Sequence, residues 1–121
     1  MKRLILAALL AVGVSGEAVA DKIAVSLQCQ EPRRDIFTYS DGNASGSEEW
    51  RDGSMHPREY DLIGFNSDLL KAVFYTISNQ GDAIGLITVY EINFANPSVT
   101  EHRIGPDVNV KFTFKGCRRI D

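Results

Sequence analysis

The stretch "VNVKFTFKGC", Val108 to Cys117, decides the fold, because apolar and polar residues alternate along it up to a cysteine near the end of the chain. Alternation with a period of two is typical of a half-buried β-strand. The apolar positions share one face: Val108, Val110, Phe112 and Phe114. The other cysteine, Cys29, ends a similar stretch, "KIAVSLQC", over residues 22–29. The two ends of the domain are therefore predicted to be strands that each carry one cysteine.

These two cysteines predict a disulfide between the first and the last strand. A metal pair or a reactive thiol is the weaker interpretation, because the sequence has two cysteines and no CxxC motif. Strict alternation places Cys29 on the inner face but Cys117 on the outer face, together with Lys115. The two sulfur atoms can meet in the core only if the register shifts by one residue. A bulge at Gly116 would supply that shift.

Other alternating stretches predict further short strands: "DIFTYS" (35–40), "EYDLIGF" (59–65), "AIGLITVYEINF" (83–94) and "VTEHRI" (99–104). The longest is expected to bend near Gly85, and "GPD" (105–107) predicts a hairpin turn. The sequence thus predicts an all-β fold, a small antiparallel barrel or sandwich of about six to seven strands. An immunoglobulin-like sandwich is an alternative, but Trp50 would be its core tryptophan and lies in a polar stretch.

The segment over residues 68–78 fits either a strand or a short helix. Ser67 could cap a helix whose stripe would include Leu70 and Phe74. The unbroken β-branched and aromatic run over residues 73–77 favours a strand, which we predict over residues 71–78.

Residues 1–20, "MKRLILAALLAVGVSGEAVA", have the three parts of a secretory signal peptide. A basic start is followed by an apolar run and then by small residues that fit cleavage after Ala20. The apolar run is too short for a stable transmembrane span, so we expect no stable membrane insertion after cleavage. The mature chain is predicted to be a single β domain over residues 21–121, located in the bacterial periplasm or secreted.

The number and distribution of charged residues indicate which classes of partner to expect. Without Lys2, Arg3 and Glu17, the mature chain has 11 basic and 15 acidic residues, scattered along the sequence. Phosphate binding needs clustered Lys and Arg, so nucleic acid is not expected as a partner. An unknown protein or a small ligand is the expected partner.

The layout resembles that of small exported proteins of Gram-negative bacteria. The resemblance lies in a leader, a first strand that ends in cysteine ("SLQC") and a last strand that closes with Gly-Cys ("FKGC"). Some exported inhibitors of lysozyme are also small disulfide-stapled barrels. The resemblance is one of architecture alone and implies no inhibitor site.

The polar, Gly-rich stretch "DGNASGSEEWRDGSMHPR" is predicted to be one long loop over residues 41–58. Its first part follows the spacing of a calcium loop: Asp41, Asn43, Ser45, Gly46 and, after five further residues, Asp52. Oxygens on alternate residues could converge on one ion if the chain turned sharply at Gly46. A strand rather than a helix precedes the loop, which opposes an EF-hand. A calcium-stabilised domain is therefore an alternative function, and calcium is the one cofactor that the sequence raises.

The same stretch carries Trp50, Arg51 and His56. Trp and Arg often anchor protein interfaces, although a tryptophan can also fold back over the core. A small hydrolase that uses His56 and nearby carboxylates is a further alternative. The common catalytic motifs are absent from the sequence, however, and we expect no enzyme. The sequence favours an exported binding or interaction module with Trp50, Arg51 and His56 as contact residues.

Overall fold

The computed structural model describes residues 23–78 and 85–121, and all regular structure within these two ranges is β-strand. The strands are β1 (Ala24–Cys29), β2 (Asp35–Ser40), β3 (Asn43–Glu49), β4 (Met55–Asn66), β5 (Lys71–Ser78), β6 (Leu86–Asn93), β7 (Ser98–Ile104), β8 (Asn109–Thr113) and β9 (Arg118–Arg119). The all-β prediction is confirmed, with a few more strands than expected. A helix long and apolar enough to cross a membrane is not found in the described part of the chain. The predicted signal peptide, residues 1–20, lies outside it.

The strands form one antiparallel sheet with the order β9-β1-β2-β3-β4-β5-β6-β7-β8. β4 curls this sheet, because its first half pairs with β3 up to Tyr60 and its second half pairs with β5 from Asp61 onwards. The register between β4 and β5 shifts between Leu62 and Gly64. Irregularities of this kind bend a strand and increase its twist. The result is a curled half-barrel whose inner face holds the core.

Five aromatic rings form the centre of the core: Phe37, Tyr60, Phe74, Tyr90 and Phe114. The ring of Phe37 lies 5.3 Å from that of Tyr90 and 5.8 Å from that of Phe114, centroid to centroid. The ring of Tyr60 lies 5.5 Å from that of Phe74. Each ring removes about 150–250 Å² of surface from water, so this cluster supplies much of the apolar burial that stabilises the fold.

Cys29 and Cys117 form the predicted disulfide, with their Cα atoms 3.9 Å apart. Phe114 and Cys117 both pack on the core, although strict alternation would place them on opposite faces. Between them, Gly116 has a φ of +67°, a left-handed conformation that glycine adopts without strain. The prediction that the first and last strands are joined is confirmed. At Gly116 the chain does not form the predicted bulge within one strand but bends between β8 and β9, and this bend brings Cys117 to the core.

Residues 41–58 do not form one long loop, and the prediction of that loop is corrected by β3. Asp41 and Gly42 form a tight turn with φ of +51° and +88°. Positive φ at both central residues is typical of the hairpin turn that matches the twist of the flanking strands. β3 begins directly afterwards, so only the short segment over residues 50–54 connects it to β4.

β3 was not predicted from the sequence, because the residues on its inner face are not large and apolar. The three residues on that face are Ala44, Gly46 and Glu48, opposite Tyr39, Phe37 and Asp35 of β2. A Cβ atom at Gly46 would overlap the backbone carbonyl oxygen of Ile36. The strand therefore needs glycine at this inner position, and glycine looks like a turn signal in a sequence.

Three further expectations concern residues 71–78, Gly85 and residues 105–107. β5 covers residues 71–78, which confirms the strand over the short helix. The bend predicted near Gly85 within a strand over residues 83–94 is instead a turn, since Gly85 has a φ of +78° and β6 begins only at Leu86. Residues 83 and 84 lie outside the described part of the chain. The Gly105 N–H donates to the Val108 carbonyl at 2.8 Å, which closes the predicted hairpin turn between β7 and β8.

Candidate functional site

A short turn between β3 and β4 presents a tryptophan to solvent, and we call residues 50–54 the Trp50 turn. The Trp50 N–H donates to the Ser54 carbonyl at 2.8 Å, and the Gly53 N–H donates to the Trp50 carbonyl at 2.8 Å. The Asp52 carboxylate accepts from the Ser54 N–H at 2.9 Å and from the Ser54 hydroxyl at 2.5 Å. These four bonds fix the backbone of the turn.

The indole ring of Trp50 stacks on the imidazole of His56, with ring centroids 3.5 Å apart and planes inclined by 18°. Nε2 of His56 lies 2.7 Å from the hydroxyl oxygen of Ser54. The Trp50 side chain nevertheless remains 55% exposed. Trp50 thus does not fold back over the core. It is an exposed ring in a defined orientation.

An open groove of about 400 Å³ lies beside the Trp50 turn. Its walls contain the tryptophan, both charge signs and a proline: Gln30, Pro32, Arg33, Glu49, Trp50, Arg51 and Gly53. Arg51 is exposed and follows the tryptophan directly. The three predicted contact residues are therefore at one end of the half-barrel, with Arg51 and Trp50 on the groove and His56 behind the indole.

Next to the groove, an arginine–carboxylate cluster connects β2, β3 and β4. It consists of Arg33, Asp35, Glu48 and Arg58. Glu48 is its centre, since one carboxylate oxygen lies 3.0 Å from Nε of Arg33 and the other accepts from Nη1 of Arg58 at 2.5 Å. Asp35 lies opposite Glu48 in the sheet, and its Oδ1 is 3.3 Å from Nε of Arg33. The net stabilisation from partly buried ion pairs of this kind is small, because the cost of desolvating the charges offsets much of their attraction.

A second pair of contacts holds the end of β3 itself. The Glu49 N–H donates to the Arg34 carbonyl at 2.9 Å, and the Arg34 N–H donates to Glu49 Oε1 at 3.2 Å. Because Glu49 directly precedes Trp50, these bonds attach the Trp50 turn to the segment that leads into β2. These bonds fix the position of the Trp50 turn relative to the segment before β2.

Asp35 is the most strongly perturbed acid of the cluster. Its residue surface is only 3% exposed, and this burial raises the pKa of its carboxyl to about 6, because the attraction of Arg33 offsets the desolvation only in part. The contact with Arg33 is an ion pair without hydrogen-bond geometry, since Asp35 Oδ1 has no hydrogen-bond partner among the described residues. Asp35 consequently changes its charge in the weakly acidic range.

Glu101 on β7 is a second carboxylate in the core, and it is fully buried. Its Oε2 accepts from Nε of Arg103 at 2.5 Å. Glu101 also lies opposite Tyr90 in the sheet. Burial, together with repulsion from Glu101, raises the pKa of Tyr90 to about 12. Both halves of the inner face thus contain acids held by arginine, in keeping with the high cost of an unpaired buried charge.

The structure does not bring the four predicted calcium ligands together. Asp41 lies in the turn before β3, Asn43 begins the strand, Ser45 lies within it, and Asp52 lies beyond its other end. β3 has seven residues, which separates its ends by about 20 Å. Hydrogen bonds from Ser54 hold the pKa of Asp52 below its ordinary value. Within the described ranges, no group of three or more His, Cys, Asp or Glu is arranged to hold a metal ion.

Within residues 23–78 and 85–121, His56 forms no ion pair or hydrogen bond with a carboxylate. In a nucleophilic relay the histidine lies between the serine and the acid. Here the hydroxyl oxygen of Ser54 lies between Asp52 and His56, on an exposed turn. A hydroxyl that donates to Asp52 has no proton left to give to His56. The order of these contacts suits a hydrogen-bonded turn and does not activate a serine.

Trp50, Arg51 and Asp52 of the Trp50 turn were predicted from the sequence, whereas the buried acids Asp35 and Glu101 were not. A signal was present, because Asp35 shares its strand face with Phe37, and Glu101 shares its strand face with Val99. Alternation therefore pointed both acids inward. Neither acid was predicted to be buried, because Asp and Glu are rarely buried without a partner.

Comparison with known protein families, with curated proteins and with solved structures returns no match. The function therefore has to be argued from the site itself.

Proposed function

We propose that the protein is an exported binding module that contacts a partner protein through the Trp50 turn. Trp50 supplies the apolar anchor, Arg51 supplies a planar donor group beside it, and His56 supports the indole from behind. The adjoining groove receives a side chain of the partner.

The observation that carries this proposal is the combination of exposure and rigidity at Trp50. The ring is 55% exposed, yet it is stacked on His56, and the turn is closed by hydrogen bonds at both ends. An exposed tryptophan forgoes the burial that would stabilise the fold. Because the ring is already oriented, binding loses little side-chain entropy. These properties are those of interface hot spots.

The proposal also concerns the location of the protein. A disulfide between Cys29 and Cys117 is compatible with an oxidising compartment, and residues 1–20 read as a signal peptide. We infer export to the periplasm or the medium. Fractionation of a bacterial host that expresses the full chain, followed by N-terminal sequencing, tests this: a mature start at Asp21 outside the cytoplasm is expected, and an unprocessed cytoplasmic chain contradicts it.

A site-specific crosslinking experiment tests the interface. A photo-activated amino acid replaces Arg51, which lines the groove and leaves Trp50 in place, in one variant and Ile63 in the control. Ile63 is also exposed, at 61%, but lies on β4 away from the turn. We expect a discrete crosslinked protein in the exported fraction with the probe at position 51 only. No adduct at position 51, or the same adducts at both positions, contradicts the proposal.

A further inference from the structure

β8 forms one edge of the described sheet and pairs only with β7. The Phe114 N–H donates to the Val99 carbonyl, and the Gly105 N–H donates to the Val108 carbonyl, so even-numbered residues of this segment face β7. In an antiparallel ladder the intervening residues direct their N–H and C=O groups to the opposite side. The backbone groups of Asn109, Lys111 and Thr113 therefore point away from β7. Among the described residues they have no strand partner.

The same edge is already paired where it continues past β8. The Lys115 N–H donates to the Glu31 carbonyl at 3.0 Å, and the Lys115 carbonyl accepts from the N–H groups of Gln30 and Glu31 at 2.9 and 3.2 Å. This pairing lies two residues beyond Thr113 and closes one end of a seam between β8 and the β1–β9 side. Along β8 itself the seam is open. A groove of about 200 Å³, lined in part by Phe112, Thr113 and Lys115, lies at the closed end.

Apolar side chains on the inner face beside this open edge remain partly exposed to solvent. Val110 has the same orientation as Phe112 and Phe114, which pack on the core, but it is 49% exposed. Val108 follows the same alternation and is 39% exposed. Inward-facing valines gain stability only when another strand covers them.

Lys111 is the only charged residue of β8, and it lies on the outer face of the strand. Lys115 follows beyond the strand, opposite Glu31, and Asp107 precedes the strand. Arg118 and Arg119 do not lie along the open edge, because they pair with β1 on the far side of Lys115. The chain as a whole carries a net charge of −3. The open edge therefore presents a basic side chain, Lys111, on an acidic protein, and it attracts an acidic group at that position.

From the free backbone groups, the uncovered valines and the basic side chain of Lys111, we propose that β8 binds an extended acidic peptide segment of a partner protein as an added strand. Main-chain hydrogen bonds to Asn109, Lys111 and Thr113 supply the affinity, and alternate side chains supply the specificity. The inward residues of the peptide are apolar and cover Val110. Its outward residues are acidic and lie beside Lys111.

Charge argues for a peptide rather than a second copy of this chain. Antiparallel pairing of two β8 strands about a two-fold axis places Lys111 opposite or diagonal to its own copy. Like charges at those cross-strand positions are destabilising. An edge lysine is also a common means by which sheets avoid pairing with themselves.

The test uses a fluorescent, end-blocked peptide of alternating glutamate and valine, titrated with the disulfide-bonded protein. We expect saturable binding, with new protection from hydrogen exchange at the amides of Asn109, Lys111 and Thr113. A peptide of alternating lysine and valine controls for charge and is expected to bind far more weakly. Absence of saturable binding at millimolar peptide overturns the proposal, as does equal binding of both peptides.

Two matched variants separate the backbone contribution from folding. Thr113→Pro removes an N–H that faces the seam and leaves the bonds to β7 in place, whereas Thr113→Ala keeps the N–H. We expect about tenfold weaker peptide binding for Thr113→Pro only. Lys111→Glu should weaken peptide binding by a similar factor, and added salt should reduce this difference between the variant and the wild type. Unchanged affinity in Thr113→Pro, or protection of these amides in concentrated protein alone, overturns the proposal, the latter in favour of self-pairing.

Discussion

The imidazole of His56 lies parallel to the indole of Trp50 at a centroid separation of 3.5 Å. Trp50 is the only tryptophan of the chain, so its fluorescence reports this contact directly. We expect an emission maximum typical of an exposed indole. The His56→Ala variant should be quenched more strongly by acrylamide and lose part of its near-ultraviolet circular dichroism, because nothing would then hold the ring.

His56→Phe is the matched control, since a second aromatic ring preserves the stacking. Equal quenching of the wild type and His56→Ala would mean that the contact does not orient Trp50. A blue-shifted, quencher-resistant emission would mean that the indole is buried, contrary to its exposure here.

The burial of Asp35 predicts a pH dependence of stability. Burial raises the pKa of Asp35 from 3.8 to about 6, so the folded state holds this proton more tightly than the unfolded chain. The stabilisation is complete below about pH 4 and is lost as the pH rises through 6. This difference between the pKa values of Asp35 in the unfolded and in the folded state corresponds to about 3 kcal/mol in the free energy of unfolding.

Chemical denaturation of the wild type and Asp35→Asn from pH 4 to pH 8 checks this prediction. The variant should become more stable relative to the wild type as the pH increases, because the amide stays neutral. Asp61→Asn, which removes an exposed carboxylate of β4, controls for the loss of one charge and should retain the wild-type slope. A difference between wild type and Asp35→Asn that does not change with pH contradicts the assignment.

The disulfide closes almost the whole domain, because Cys29 and Cys117 are 88 positions apart. Its removal in a Cys29→Ala, Cys117→Ala variant should lower the free energy of unfolding by about 4 kcal/mol, since the unfolded chain regains the entropy of the open loop. A reductant should lower the melting temperature of the wild type towards that of the variant and leave the variant unaffected. A loss below about 1 kcal/mol would show that the half-barrel does not depend on this closure.

Gly46 predicts a sharp contrast with another glycine of the sheet. A Cβ atom at Gly46 would overlap the carbonyl of Ile36, whereas one at Gly64 meets nothing within 4 Å. Gly46→Ala should therefore destabilise the protein by about 3 kcal/mol, because β2 and β3 must separate. Gly64→Ala should lie within about 1 kcal/mol of the wild type. Thermal melts distinguish the two, and equal effects would contradict the close packing of β2 against β3.

The alternating strands were predictable because one face of each is apolar. Val25 and Leu27 of β1, and Tyr90 and Ile92 of β6, are buried as their spacing requires. The role of Gly116 was also predictable, because alternation placed the two cysteines on opposite faces and only a shift by one residue could bring them together. Local pattern was sufficient wherever the inner residues were large and apolar.

β3 could not be predicted in this way, and neither could the contacts of the buried acids. Gly46 is required by its distance to Ile36, a residue of another strand. Alternation places Asp35 on an inner face, but its contact with Arg33 and its position opposite Glu48 are tertiary and leave no periodic trace in the sequence. The sequence placed Trp50 among contact residues, but the stacking on His56 and the closed turn that expose it emerged only from the fold.

The most direct test of the proposed interface is the affinity of the crosslinked partner for Trp50→Ala compared with Ile63→Ala. Both substitutions remove a large exposed apolar side chain, so they are matched in their effect on the free surface. We expect Trp50→Ala to raise the dissociation constant about 30-fold, the loss of a hot spot, and Ile63→Ala to leave it within about twofold. Equal affinities for the two variants would contradict a binding function of the Trp50 turn.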